Sequence, residues 1–433
     1  MHRPDHRPSP QSYWLASAPA FTGGAAGGPE GPVDVAVIGG GFTGLTAALT
    51  LREKGASVAV LEAGQVVGEA SGRNGGQCNN GTHQDYGALV ASLGRDTAQA
   101  FYRAHVEAVD RVEALVEAHG IDCGFRRCGR LKLAAKPGHF DKIARAYELL
   151  KAEVDPDVAL IGPEAIGAEI GSDGFYGGLL QTTSAQLHPG RFGIGLAHAA
   201  AAKGAQIHER AAVTGIARGA DGRWTLTTPC GTLTSSQVLV ATGGAPPQKP
   251  FGWFQRRLVA VGSFIIATEP LEPALIAKLF PRRRNYVTSR VMGNFFRLTP
   301  DDRLIFGGRA RFAISDAKSD ATSGAILVAT MRRMFPELAR VRIDHVWGGM
   351  VDLTADRLPR AGEHEGLFYA MGYSGHGVQM SVLMGQQMVR YMDGDLAANP
   401  WEQLDWPAIP GHLGKPWFLP AVGLWYKIQD IVH

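Results

Sequence analysis

The chain has 433 residues, 45% hydrophobic and 19% charged, a globular balance with length for more than one core. A formal net charge of +3 is too small to point to nucleic acid, and clusters such as Arg282-Arg283-Arg284 are short enough to be solvated loop. The four cysteines (Cys78, Cys123, Cys128, Cys230) form no Cys-x-x-Cys pair and no metal-ligand spacing, so reduced thiols, no metal centre and a cytoplasmic setting are expected.

Residues 1–32, rich in Pro, Gly, Ala and Ser, read as an N-terminal extension without the apolar core of a signal peptide. Nowhere does an apolar run approach the roughly 20 residues that span a bilayer. Residues 33–62 carry the strongest signal. An apolar run, Val33 to Ile38, meets Gly39-Gly40-Gly41; a helical segment follows with Phe42, Thr43 and Gly44 in its first turn; Gly55 stops it; a second apolar run ends on Glu62, next to Ala63. This strand–turn–helix–strand unit ending in an acid is a dinucleotide fingerprint. Gly39 makes the turn, Gly41 admits a pyrophosphate close to the backbone, and Gly44 lets helix and strand approach. Glu62 is placed to accept from ribose hydroxyls, and the helix start presents amides to phosphate.

Further along, residues 96–118 have helical spacing and Gly120 ends them; Arg130 to Ala134 is strand-like; 139–152 is helical. Gly190 to Lys203 is an Ala-rich helix, followed by a short strand at 205–209. Val213 to Ile216 and Trp224 to Thr228 flank Gly219-Ala-Asp-Gly222, a hairpin signal. Val238 to Ala241 is a buried-type strand ending in Thr242-Gly243-Gly244. Residues 258–268 and 303–308 are strands, 321–334 is helical, and Leu367 to Met371 is a strand that enters Gly372-Tyr-Ser-Gly-His-Gly377 before a helix to about Met392. There is no internal repeat. The order implies an α/β fold: a discontinuous Rossmann-like domain (33–84, 186–257 and 350–395) with an inserted α+β domain of antiparallel strands (85–185 and 258–349). The tail, 396–433, contains the apolar run Pro416 to Tyr426. It is expected to pack on the body, contact with a membrane surface or a partner being the alternative.

The fingerprint resembles that of FAD-dependent amine and amino-acid oxidases of the D-amino-acid oxidase superfamily. So do Ser12 to Ala18, Gly68-Glu-Ala-Ser-Gly-Arg-Asn-Gly-Gly-Gln77, Gln186-Leu-His-Pro-Gly190, Ala241-Thr-Gly243 and Gly372 to Gly377. The flavour is that of the γ-glutamylputrescine oxidase-like branch, and the likeness runs nearly end to end. It implies FAD. Ser71, Arg73, Asn74, Gly75, Gly76 and Gln77 then cover the flavin and pyrophosphate, Val213 meets the adenine end, and Thr242 and Gly243 let backbone approach the cofactor. Gly372, Ser374, Gly375, His376, Gly377 and Val378 aim a helix start at the flavin's pyrimidine edge, where donors stabilise charge that appears on reduction.

The implied reaction is oxidation of an amine or secondary amino acid to an imine, by hydride transfer to flavin N5, with O2 reoxidation to H2O2. The amine must be neutral, so the site is expected to depress its pKa. Tyr286, Phe296, Arg297, Trp347, Tyr373, His376 and Gln379 are the candidates around the substrate. Arg297 either meets an anionic end or makes a surface ion pair; Trp347 is pocket wall or core. Against sarcosine oxidases, Gln379 stands where a carboxylate-clamping lysine is found, and Gln77 and Asn80 stand near two arginines. Gly349 replaces the flavin-tethering cysteine, so FAD is expected to be non-covalent. Ile305 replaces the lysine that activates O2, which leaves open a dehydrogenase that passes electrons to a quinone or carrier protein. A non-catalytic flavin-binding protein and a nicotinamide dehydrogenase are the remaining alternatives. Oligomeric state is not readable.

Overall fold

The computed structural model describes residues 8–243 and 250–432. Pro32–Ile38, apolar on both faces, is a central strand of an eight-stranded sheet. It runs parallel to Val58–Leu61 on one side and to Gly231–Val240 on the other, and Gln206–His208 extends the sheet beyond Val58–Leu61. Gly231–Val240 is long enough to serve two partners. Its first half carries the antiparallel hairpin Gly215–Arg218 and Trp224–Thr228, while Val238 to Val240 pair in parallel with Leu367–Met371, which pairs antiparallel with Arg360–His364. Strands apolar on both sides need cover on both sides. Helices Phe42–Glu53, Arg95–Ala118, Pro189–Ala202 and Gly377–Met392 bury one face, and Trp224, Phe251, Phe254 and Tyr369 fill the other.

The second sheet also has eight strands, in the order Ile343–Leu353, Val259–Pro270, Arg303–Gly308, Asn294–Leu298, Asn285–Thr288, Arg130–Leu133, Gly178–Gln181, Ala159–Ile161. All its pairings are antiparallel except the one joining Asn285–Thr288 to Arg130–Leu133, where two separate stretches of sequence meet. Its core is aromatic, with Phe264, Phe280, Tyr286, Phe296 and Phe306 buried beside helix Ala317–Met334.

Three elements depart from the expectation. Ile343–Leu353 is a strand across the boundary placed at 349/350; Gly348-Gly349 hid it, since glycine weakens a strand pattern. The N-terminal segment is part of the body: Tyr13–Ser17 is a short helix with Tyr13 and Trp14 buried. The tail ends in a helix, Leu419–Val432. Leu419 is buried, Tyr426 stacks on Phe312 at 5.1 Å and the Asp430 carboxylate accepts from the Val291 and Met292 amides, but Leu424, Trp425 and Ile428 are exposed. Gly244 lies outside the described residues.

Helix Gly377–Met392 crosses the fingerprint helix at Gly385, where a Cβ would lie 2.8 Å from the Thr43 carbonyl oxygen. Gly385→Val is expected to cost about 1–3 kcal/mol of stability through overpacking. Urea unfolding measures this, and an unchanged midpoint would show that the helices do not meet there.

Candidate active site

The fingerprint turn is built so that no side chain fits. Gly39 has φ +111°, and a Cβ on it would sit 2.5 Å from the Ala241 carbonyl oxygen. A Cβ on Gly44 would sit 2.0 Å from the Gly39 carbonyl oxygen. Helix Phe42–Glu53 has Gly41 at its N-cap and no side-chain cap. The Phe42 amide donates to Ser71 Oγ at 3.1 Å. Glu62 grips the turn, its Oε2 accepting from the Gly40 amide at 2.6 Å and its Oε1 from the Gly64 amide at 2.7 Å. Burial pushes the Glu62 pKa up and the two amides oppose this. Ala63 is exposed beside it, and Val213 packs near Ile38, Leu61 and Ala211. At the end of the neighbouring strand the buried Thr242 hydroxyl has no partner among the described residues, and Gly243, at φ +67°, faces open space. A close-approach turn, the helix-start amides that follow the one Ser71 takes, and an orphaned hydroxyl fit the phosphates and ribose of a dinucleotide.

The loop after the fingerprint is held by its carbonyls. Five in succession are tied to other elements: Gly72 to Ser12 Oγ at 2.8 Å, Arg73 to Trp347 Nε1 at 3.0 Å, Asn74 to Trp14 Nε1 at 2.7 Å, Gly75 to Arg297 Nε at 2.8 Å, and Gly76 to the Leu187 amide at 3.0 Å. In a trans peptide the carbonyl of one residue and the amide of the next point in opposite directions. Each tie therefore turns the following amide, from Arg73 to Gln77, away from the buttress. The side chains add to the hold. Asn74 Oδ1 accepts from the Gly76 amide, Arg73 Nε donates to the Gly348 carbonyl, and Gln77 Nε2 donates to the Phe296 carbonyl.

The second glycine turn is pinned by a residue the sequence did not single out. Asp352 accepts from the Gly372 amide on Oδ2 at 2.7 Å and from the Ser374 amide on its carbonyl at 3.0 Å. Burial raises its pKa to about 6, opposed by the amides of Gly372, Asp352 and Tyr373. Ser374 is buried at φ +51°, and Gly375 is exposed. His376 caps helix Gly377–Met392, in whose first turn Val378 is buried. Its Nδ1 is buried without a partner among the described residues. Its ring lies edge-on to His83 at 6.1 Å and to His105 at 5.9 Å. All three imidazoles are held neutral. Burial comes first in each case, followed for His376 by His105, His83 and Arg130, and for His83 by Arg309, Arg357 and Lys132.

Several candidates are placed elsewhere than expected. Arg297 meets neither a substrate anion nor a surface carboxylate. It is 1% exposed, lies 4.9 Å over the Trp14 ring and donates to the carbonyls of Gly75, Leu187 and Leu298. Burial lowers its pKa to about 10, so it stays charged at neutral pH. Trp347 is core beneath the flavin loop, clustered with Tyr13, Trp14 and Ile305. Tyr286 and Phe296 stack at 5.2 Å inside the second sheet's core, where the Tyr286 hydroxyl donates to the Glu169 carbonyl. They line no substrate space, because their strand faces point into that core. Tyr373 is tied at 2.7 Å to the Thr43 hydroxyl, which joins the two glycine turns. Gln379 Nε2 donates to the Asn79 carbonyl, leaving its Oε1 buried and unpartnered among the described residues. The residues missed are Ser12, Trp14, His83, His105, Arg309, Asp352 and Arg357. Only Ser12 and Trp14 carried a signal, through the segment they share.

Two outcomes follow from this geometry. Arg297→Met is expected to weaken FAD retention about tenfold or more, the loss of a charged hydrogen-bond set to buried carbonyls, as read by the apoprotein fraction after dialysis. Full retention with a raised KM for acidic amines would return Arg297 to the substrate. For His105, burial lowers the pKa from 6.5 to about 4. Between those values the unfolded chain binds a proton that the folded chain refuses, so stability falls as pH drops through the window, by about 1–3 kcal/mol. His105→Gln is expected to flatten that slope in denaturation series from pH 7 to 4.5; an unaltered slope would contradict the assignment.

Comparison with known proteins agrees with this geometry. The chain is 33% identical over 404 residues to a probable oxidoreductase, OrdL, of Haemophilus influenzae, with 92% of each chain covered. It is 31% identical over 385 residues to the gamma-glutamylputrescine oxidoreductase of Escherichia coli K12, with 89% of each covered. Among solved structures, glycine oxidase from Geobacillus kaustophilus matches with a TM-score of 0.71 at 22% identity, over 89% of this chain and 99% of that one, a likeness of fold. Residues 34–391 match the DAO family profile, described as FAD dependent oxidoreductase. The chain belongs to that family, and FAD is the cofactor its two glycine turns and clamped loop are shaped to hold.

Proposed function

We propose that this enzyme oxidises the carbon–nitrogen bond of a small amine or secondary amino acid to an imine, which water then hydrolyses. The observation that carries the reading is the electrostatics at the start of helix Gly377–Met392. His376 and His83 are neutral there, and Arg309 and Arg357 act on His83 with no ion pair of their own among the described residues. Burial and nearby guanidiniums disfavour an ammonium ion and so lower the substrate's pKa, while the imidazoles, weakened as bases by the same surroundings, stay uncharged and leave the proton to solvent. Only the free amine has the lone pair that drives electrons out of the adjacent C–H bond. FAD, when bound, supplies the acceptor for that electron pair, held non-covalently because Gly349 offers no thiol. Tyr373 and Thr43 hold the two glycine turns in one frame, Asp352 fixes the second turn, and Ser12, Trp14, Arg297 and Trp347 fix the loop between.

The likeness to a gamma-glutamylputrescine oxidoreductase makes γ-glutamyl amines the first substrates to try. For reoxidation we favour O2, with H2O2 as product. The apolar outer face of helix Leu419–Val432 favours a second acceptor, a quinone or carrier protein, as the competing reading. No described helix is long and apolar enough to cross a membrane. A reducing, cytoplasmic setting suits the four unpaired thiols.

A panel of γ-glutamyl amines, diamines, cyclic imino acids and N-methyl amino acids is to be added anaerobically to the yellow holoenzyme. At least one class is expected to bleach it; no bleaching by any amine would leave a flavin-binding protein without this activity. Admitting O2 then separates the acceptors. Rapid return of colour with stoichiometric H2O2 supports the oxidase, and colour returning only with an added quinone or dye supports the carrier reading.

A further inference from the structure

Arg309 follows directly on strand Arg303–Gly308, and Arg357 sits in the turn between Leu353 and Arg360. Both are half-buried, and neither has an ion pair among the described residues. The carboxylates of the adjoining turns and of the tail helix are committed. Asp356 binds Arg360 at 2.6 Å, and Asp430 takes the Val291 and Met292 amides. Asp352 takes the Gly372 amide, and Asp85 takes Lys132 at 2.9 Å. The two guanidiniums repel each other, and burial with that repulsion lowers the Arg309 pKa to about 10, which leaves it charged. Tyr426 of the tail helix adjoins Arg357, its hydroxyl accepting from Nη2 at 3.4 Å, and it also acts electrostatically on Arg309.

Arg357 is also held in a conformation an arginine seldom takes, φ +65°. That backbone is over-determined by the Arg360–Asp356 pair and by Gln84, which donates to the Asp356 carbonyl. Strain of this kind persists where the surroundings enforce it, and it points a side chain at a task. Arg309, for its part, also borders a separate cavity of about 1250 Å³, whose wall includes Thr288, Arg290, Asn294 and the carboxylates Glu164 and Asp173 but neither Arg357 nor Tyr426. The position relative to the flavin turn is also defined. The charges of both arginines act on His83, whose ring lies edge-on to that of His376 at 6.1 Å, whereas the charges acting on His376 itself are His105, His83 and Arg130. The arginines thus lie one layer outward from the helix start.

We propose that Arg309 and Arg357 form a carboxylate receptor that reads an anionic end of the substrate distant from the amine being oxidised, with Tyr426 of the tail helix as its wall. Two unpaired guanidiniums offer more donors than a single carboxylate needs, and in a half-buried site each charged hydrogen bond is strong. The receptor rests on the amine-oxidase reading for its role in catalysis and stands apart from it as a binding site.

The test has two arms on the FAD-loaded enzyme. In the first, kcat/KM is compared for 5-aminopentanoate and its uncharged counterpart 5-aminopentanamide, in wild type, Arg309→Met and Arg357→Gly. The glycine variant removes the guanidinium while relieving the left-handed backbone, so misfolding does not mimic the result. Wild type is expected to prefer the acid, and each variant to lose that preference by about tenfold or more. Arg309→Lys should restore part of it. In the second arm, binding of glutarate is followed by calorimetry, with an expected loss of about tenfold or more in each variant. No acid preference in wild type, or a preference and a glutarate affinity unchanged in both variants, overturns the receptor. If no amine bleaches the flavin, the calorimetric arm decides alone: loss of glutarate binding in the variants keeps the receptor while the oxidation reading falls.

Discussion

The clamp on the carbonyls of residues 72 to 76 is the constraint on which the cofactor site depends. A loop of small and polar residues has no core of its own, and left free it would spend its amides on water or on itself. Here Ser12, Trp14, Arg297, Trp347 and the Leu187 amide take the carbonyls one after another. Each such bond is worth only about 0.5–1.5 kcal/mol net, but leaving a buried carbonyl unpaired costs more. The set is therefore close to all-or-none. It recruits the N-terminal helix, two strands of the antiparallel sheet and the start of helix Pro189–Ala202, so the loop's conformation is decided by parts of the chain far from it in sequence.

Around the second glycine turn the protein gathers uncharged imidazoles and commits its buried carboxylate. Asp352, the buried acid nearest the second glycine turn, is occupied by that turn's amides and carries a raised pKa. The three imidazoles are kept uncharged by burial, so the site gains no cations at those positions.

What was legible in the sequence was what backbone geometry demands of residue type. Gly39 and Gly44 admit no Cβ, so spacing alone identified them; Glu62 was read as a ribose acceptor, and its grip on the Gly40 and Gly64 amides was not legible. The helices at Arg95–Ala118 and Gly377–Met392 were readable from periodicity. Arg297 was not readable in role: its position on a strand says nothing of which carbonyls lie opposite, and a buried arginine spent on main chain looks the same in sequence as one awaiting a substrate. His83, His105 and His376 come from three distant segments, and only the packing of helix Arg95–Ala118 on helix Gly377–Met392 brings them together. Asp352 was hidden in a strand whose own pattern was broken by Gly348-Gly349.

The interleaving of the two sheets constrains the order of events during synthesis. Strand Gly231–Val240 is made just past the middle of the chain, and its parallel neighbour Leu367–Met371, with the helix start it leads to, leaves the ribosome well over a hundred residues later. Until then the nascent parallel layer carries an open edge at Val238 to Val240. Contact order of this kind slows folding and exposes apolar strand to aggregation. The two glycine turns lie near opposite ends of the chain, so the nucleotide site is complete only once residues 372–377 have been made.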